Sequence, residues 1–415
     1  MKNSKVDIQK ILNGIRQDEA RNRDFLHLTA NEAQMSETAR TFLSSKLNER
    51  YYFGGGNKNS IVDFGHVTAL GIKSVEDLLQ SAKEAARKML GAADVNLNVL
   101  SGVHAMMSAL LATSEPGDTI MTVPTEYGGH FATVGILQKT GRNQIFLDFD
   151  YKNLCFDVAK IAEKVKKFNV KVIYLDVSYY LNPHNLRELR QAIGPEVIII
   201  YDASHTMGLI MGQQFQNPFL EGADIITANT HKTLPGPHKG MIVFKDKFLA
   251  DKANAIIDGC LYSSPHMIHL VPLAMTLLEL KAFGCEYARQ VIANSNALAE
   301  AFVGFRYEVR KANTGRYSEN HQVHVYIDTM GNYMDLYKKL VKNNISTNFE
   351  GAELTEHRWY IRFGTQEVTR RGMKEADMST VTSLVDRALK GENVQDQVKV
   401  FNQRFNKIHY SFDKS

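Results

Sequence analysis

Short apolar runs alternate with amphipathic stretches through most of the chain. From about residue 75 an apolar stripe at helical spacing reads through Leu90. Beyond it, runs of strand length lie at Val95–Leu100, Thr119–Pro124, Gln144–Phe149, Val170–Asp176, Val197–Asp202, Asp224–Asn229 and Met241–Phe244. Between the earlier runs, segments 103–113, 128–139, 155–167 and 184–193 carry helical spacing. This alternation predicts an α/β fold, a mostly parallel seven-stranded sheet with helices on both faces. A long helical region at 266–303 follows. Then come strands near 321–328 and 358–364, helices near 333–343 and 374–390, and an amphipathic segment at 393–405, which read as a smaller α+β unit. At the start, residues 5–20 place Val6, Ile8, Ile11, Leu12 and Ile15 on one stripe. Such an arm packs either on a partner subunit or on its own domain. The expected division is an arm and active-site segment at 1–60, a large domain at 61–300 and a small one at 301–415.

Composition narrows the function more than the fold. A chain of 415 residues is long enough for one large and one smaller core. The net charge of +4 comes with no long basic run, which argues against a nucleic-acid partner. Cys155, Cys260 and Cys285 are widely spaced, neither a disulfide framework nor a zinc pattern, and no metal site is expected. The first residues contain no apolar core of a leader, and no apolar stretch approaches a membrane span in length. The expectation is a cytoplasmic protein with no membrane partner.

Chemistry collects where the apolar runs stop. Val197–Asp202 ends in Asp202 and continues to His205. The run to Asn229 continues as Thr230-His231-Lys232-Thr233, followed by Leu-Pro-Gly-Pro237. In a parallel α/β sheet, ligands bind outside the carboxyl ends of the strands. Asp202 and Lys232 should therefore face one crevice. A lysine that can form a Schiff base and a carboxylate that can pair with a pyridinium nitrogen are what pyridoxal phosphate asks of a protein. Ser101-Gly102 opens a helix directly after a strand, a place where free backbone N–H groups bind phosphate. His130, in Tyr127-Gly-Gly-His130, could stack on a planar cofactor or be a hydrogen-bonded structural residue. Ser178 could reach a cofactor oxygen or merely cap a turn. Arg362 alternates into the inner face of a strand, where it needs either a substrate carboxylate or a structural Asp or Glu.

Together these residues resemble the serine hydroxymethyltransferase group of fold-type I pyridoxal-phosphate enzymes, from about residue 26 to 380. The pieces that carry the likeness are Asp202-x-x-His205, Thr230-His231-Lys232-Thr233-x-x-Gly236-Pro237, Gly128-Gly129-His130 and Arg362-x-Gly-Thr-x-x-x-Thr-Arg-Arg-Gly372. The resemblance implies that Lys232 carries the cofactor as a Schiff base and that Asp202 holds its ring nitrogen protonated. It implies that His130 stacks on the ring, Ser178 and His205 flank the phenolic oxygen, and Ser101 and Gly102 hold the phosphate. Arg362 would clamp the amino-acid carboxylate. Tyr51 looks like the family tyrosine supplied across a homodimer interface, and Asn31 stands where the family has the serine of an Ala-Ser-Glu-Asn motif.

Departures from the family pattern decide the expected reaction. The family's folate-serving glutamate, two residues after its tyrosine, falls on Phe53. In the alternative register set by Arg50-Tyr51-Tyr52 it falls on Ser44 and the tyrosine on Phe42. Neither register supplies the glutamate, and a phenyl ring cannot move a proton. The chain is most similar to L-threonine transaldolases, sharing Gly208-Leu-Ile-Met-Gly212, His321-Gln-Val-His324 and Thr369-Arg-Arg-Gly-Met-Lys-Glu375. The implied activity cleaves threonine to a glycyl quinonoid and adds an acceptor aldehyde, giving a β-hydroxy-α-amino acid. His231, His130 or a water near Tyr51 would serve as base. Serine hydroxymethyltransferase, threonine aldolase and amino-acid racemase are the alternative activities, and a non-catalytic binding protein the remote one.

Overall fold

The computed structural model describes residues 7–63, 65–150, 155–352 and 358–413. Val6 of the predicted arm lies outside them. Seven strands form the largest sheet: β1 (Asp94–Asn96), β2 (Thr119–Thr122), β3 (Asn143–Phe146), β4 (Val170–Leu175), β5 (Ile198–Asp202), β6 (Ile225–Asn229) and β7 (Gly240–Phe244). Their spatial order is β1-β7-β6-β5-β4-β2-β3. β3, β2, β4, β5 and β6 pair in parallel, and β7 is antiparallel to both β6 and β1.

The apolar runs form strands because each buries both faces. Ile199 and Tyr201 of β5, Ile226 and Ala228 of β6, and Met241 and Val243 of β7 enter one core. Ile200, Ile225, Ile242 and Phe244, each one residue out of phase, enter a second core on the opposite face. The first core is closed by the helices Lys73–Leu90 and Met267–Gly304, the second by Gly102–Thr113 and Lys247–Ile256. A third core gathers Leu26, Leu28, Leu298 and Phe302 with β8 (Gln322–Tyr326), β10 (Arg358–Gly364) and the helix Glu375–Leu389. β8 and β9 (Asn348–Ala352) flank β10 in an antiparallel sheet.

Several boundaries differ from those the sequence suggests. The run predicted as a strand to Leu100 leaves the sheet after Asn96, because Leu97 to Ser101 turn to start a helix. The helix predicted from 128 starts at Phe131, since Gly128 takes a positive φ of 87° and ends a preceding turn. The expected strand to Phe149 is two pieces, β3 and Phe149–Asp150, the latter paired with Cys155–Phe156. Three pairings were not anticipated: the hairpin Ile61–Asp63 with Thr68–Leu70, Leu26–His27 alongside Ile345–Ser346, and β9 with β10. The helix Met267–Gly304 is long and apolar enough to cross a membrane by length and composition, contrary to the reading that no stretch approaches that length. Its apolar positions include Leu273, Leu277, Tyr287 and Val291 of the first core. The arm helix is Ile8–Arg23, capped by Asp7, and none of its residues is buried.

Candidate active site

β5 and β6 run side by side, with Asp202 beside Thr227. Both end at the same edge of the sheet, and a cavity of about 330 Å³ opens there. Its lining includes Ser101, Gly102, His130, Ser178, Asp202, His205, His231 and Lys232. Eight residues singled out from five separate stretches of sequence thus share one cleft. Tyr51, Asn31 and Arg362 do not line it. Tyr51 is 70% exposed and stacks on Phe53 with 5.7 Å between ring centroids. Asn31 is exposed, although the neighbouring Ala33 N–H donates to the His231 carbonyl at 3.0 Å.

Three donors fix the Asp202 carboxylate. The Ser204 backbone N–H reaches Oδ1 at 2.9 Å, and the hydroxyls of Tyr174 and Thr227 each reach Oδ2 at 3.0 Å. Tyr174 and Thr227 come from the strands on either side of β5, so the sheet itself orients the carboxylate. Lys232 lies in the turn after β6, and its Nζ is 3.0 Å from His205 Nε2. Burial brings the amine down to about 8, with Asp202 opposing the shift and the Arg362 charge adding to it. His205 is held well below the usual histidine range by burial and then by the charges of Lys232 and Arg362. It is therefore neutral beside the lysine.

Also lining the cleft, Ser101 caps the helix Gly102–Thr113, its hydroxyl accepting from the His104 N–H at 3.1 Å. Gly102 must be glycine, because a Cβ there would lie 2.8 Å from Cβ of Asn229. A helix N-terminus pressed this close to the strand ends presents backbone N–H groups to an anion.

His130 lines the cleft with Phe131 stacked on it at 4.6 Å. Its Nδ1 accepts from the Ala132 N–H at 3.3 Å, so that nitrogen caps the following helix. Burial lowers its pKa. Its backbone is anchored by a residue not anticipated as part of the site, Asp176. Asp176 Oδ2 accepts from the His130 N–H at 3.1 Å and from the Thr133 hydroxyl at 2.7 Å. Asp176 Oδ1 is buried with no hydrogen-bond partner among the described residues. Burial, together with the charge of Asp202, pushes this carboxyl up to about 7. The signal available in sequence was its position as the last polar residue of a strand-length run. His231 stacks on His238 at 3.8 Å, and burial pushes it down to about 3. Its Nδ1 is buried without a partner among the described residues, as is Nδ1 of His205.

Arg362 is 5% exposed on β10 and carries an ion pair to Glu350 of β9, Nη2 to Oε1 at 3.0 Å. Its Nη1 donates to the Ser178 carbonyl at 3.2 Å, which ties the small sheet to the cleft. Glu350 was not anticipated, because β9 itself was not.

The serine hydroxymethyltransferase family model matches residues 4–385. The fluorothreonine transaldolase of Streptantibioticus cattleyicolor is 35% identical over 405 residues, covering 96% of this chain and 63% of that protein, so the chain spans less than two thirds of that relative's length. The serine hydroxymethyltransferase of Methanocella arvoryzae is 33% identical, covering 98% of this chain and 97% of that protein. Among solved structures, L-threonine transaldolase from Pseudomonas fluorescens in its internal aldimine state matches with a TM-score of 0.89 and 29% identity, covering 98% of this chain and 94% of that one. The fold is that of fold-type I pyridoxal-phosphate transferases, and pyridoxal phosphate is the cofactor. The cleft fits it. A buried amine, a carboxylate on the adjacent strand end, a helix N-terminus and buried polar atoms without partners surround one cavity.

Proposed function

The chain belongs to the serine hydroxymethyltransferase family, and we propose that within it the chain is an enzyme of the L-threonine transaldolase type. It would cleave threonine between Cα and Cβ, release acetaldehyde and join the glycyl remainder to a second aldehyde. The observation that carries this reading is the likeness, along nearly the whole of both chains, to the L-threonine transaldolase structure. Phe53 next to Tyr51 supports it, since an apolar ring there leaves no proton carrier for a folate-linked step.

In this reading Lys232 holds the cofactor covalently, Asp202 pairs with its ring nitrogen and His130 flanks the ring. Ser101 and Gly102 hold the phosphate, while Ser178 and His205 flank the phenolic oxygen. Bound pyridoxal phosphate supplies an electron sink for a carbanion at the amino-acid Cα. Arg362 holds the substrate carboxylate. A base must take the β-hydroxyl proton of threonine. Of the candidates, His231 has a neutral ring and an unengaged Nδ1 among the described residues, whereas His130 has committed its Nδ1 to a helix cap. We therefore place His231 first. Tyr51, exposed and away from the cleft, and the uncovered apolar stripe Ile8, Ile11, Leu12 and Ile15 support a homodimer in which Tyr51 serves the partner's site. A cytoplasmic location is part of the same proposal.

Incubation with L-threonine and an aromatic aldehyde should give acetaldehyde and a β-hydroxy-α-amino acid. No acetaldehyde with any acceptor would overturn the reading. The second reading is serine hydroxymethyltransferase, favoured by the end-to-end match to the Methanocella arvoryzae enzyme. Serine turnover that depends on tetrahydrofolate would select it. Acetaldehyde released without an acceptor would select an aldolase, and Cα proton exchange without carbon–carbon cleavage a racemase.

A further inference from the structure

Arg362 stands beside the cleft, bonded to the carbonyl of its lining residue Ser178, and already bears a carboxylate. Its guanidinium carbon lies 5.0 Å over the Tyr179 ring, and its Nη1 is taken by the Ser178 carbonyl. Glu350 takes Nη2 from one side. The third nitrogen, Nε, is buried with no partner among the described residues. A guanidinium engages a carboxylate best through two parallel N–H groups. Here the two-pronged edge formed by Nε and Nη2 is half filled, by a single-point contact.

The backbone explains how Glu350 comes to be there. In the β9–β10 register Asn348 faces Arg362 and Glu350 faces Tyr360, so Glu350 is the diagonal neighbour of Arg362 on the same face. β9 is an edge strand. Glu350 also hydrogen-bonds the Tyr179 hydroxyl, whose pKa is pushed up to about 12 by burial and then by the Glu350 charge. Its side chain keeps 18% exposure, against 6% for Arg362, so it has a path to solvent that the arginine lacks.

We propose that Glu350 is an internal competitor for Arg362, occupying the place of the amino-acid carboxylate when no substrate is bound and setting how tightly α-amino acids are held. The proposal rests on the reading of Arg362 as the carboxylate clamp. An incoming carboxylate would take the Nε and Nη2 edge and displace Glu350 toward solvent. Two carboxylates at one guanidinium edge repel, so the affinity measured for an amino acid is reduced by the fraction of molecules in which Glu350 holds the arginine. A ligand without a carboxylate meets no such competition.

The test is a titration of the holoenzyme, followed by the visible band of its cofactor, with glycine and separately with ethanolamine. Glu350→Gln keeps the size of the side chain and removes its charge; Glu350→Ala removes both. Both variants should bind glycine about tenfold more tightly than wild type and bind ethanolamine as wild type does. Glycine binding unchanged or weakened in both variants would overturn the proposal and assign Glu350 to holding the arginine in place. Tightening of both ligands equally would also overturn it. Arg362→Lys separates a failure of the clamp from a failure of the competitor. If Arg362→Lys binds glycine as wild type does, the clamp reading itself fails; if it loses glycine while Glu350→Gln is unchanged, only the competitor fails.

Discussion

Nζ of Lys232 lies 3.0 Å from Nε2 of His205, a histidine that burial keeps neutral. Among the described residues the lysine has no anion in direct contact, and burial lowers its pKa to about 8. A neutral amine is the nucleophile that can capture an aldehyde. Capture of pyridoxal phosphate by the apoprotein should thus accelerate with pH up to a midpoint near 8 and slow about tenfold per pH unit below it. Stopped-flow absorbance measures this directly. A rate still climbing through pH 10 would mean that the amine is solvated like an ordinary lysine.

Asp176 should make stability fall as pH rises. Its carboxyl has an ordinary value of 3.8 when unfolded and about 7 in the fold. Between those values the folded state binds more protons than the unfolded one, so its contribution is full below about pH 4 and is lost as pH rises through about 7. Buried histidines such as His184 and His321, both pushed down to about 3 by burial, act in the opposite direction, so the comparison must be a difference. Asp176→Asn should gain about 2–3 kcal/mol relative to wild type between pH 5 and pH 8. Urea titration at both pH values checks it, and a constant difference would contradict it.

These two residues also mark how far sequence carries. Lys232 was legible because an apolar run of strand length stops just before it, and Asp202 for the same reason. The sheet was legible because β4 to β7 bury both faces and so read as unbroken apolar runs. Asp176 was visible as a strand end, but its bond to the His130 backbone spans 46 residues, and no local pattern encodes that. Glu350 was hidden because β9 is an edge strand without an apolar signature. The hairpin Ile61–Asp63 with Thr68–Leu70 failed to register for a similar reason, since none of its residues is buried. Tyr51 was placed by resemblance alone, and within one chain its surroundings give it no partner in the cleft.

Gly208 holds the turn that carries Lys232. A Cβ at Gly208 would stand 2.1 Å from the Thr233 carbonyl oxygen, a backbone atom that cannot swing aside. Gly208→Ala should cost roughly 1–3 kcal/mol and weaken cofactor retention, because the turn must shift. Gly135, exposed on the helix Phe131–Lys139 with nothing within 4 Å of its added Cβ, is the control. Gly135→Ala should stabilise by about 0.5–1 kcal/mol. Equal effects at the two positions would contradict the packing described.

Glu279 of the long helix and Arg370 form an ion pair at 2.7 Å with both side chains 1% exposed. Arg370 also donates to the His409 carbonyl at 3.1 Å, and Glu279 accepts from the Phe412 N–H at 3.1 Å. Removing one charge strands the other in the interior. Glu279→Gln should therefore cost about 3–5 kcal/mol and free the segment around His409 to Phe412 for proteolysis. A melting temperature within error of wild type would show that the pair is not closed off from water.

Lys232 is the residue proposed to bind pyridoxal phosphate covalently. Borohydride reduction of the holoenzyme, followed by peptide mass mapping, tests it most directly. A phosphopyridoxyl group is expected on Lys232, and no stable label in Lys232→Ala. A label on any other lysine of the wild-type protein, Lys239 included, would contradict it.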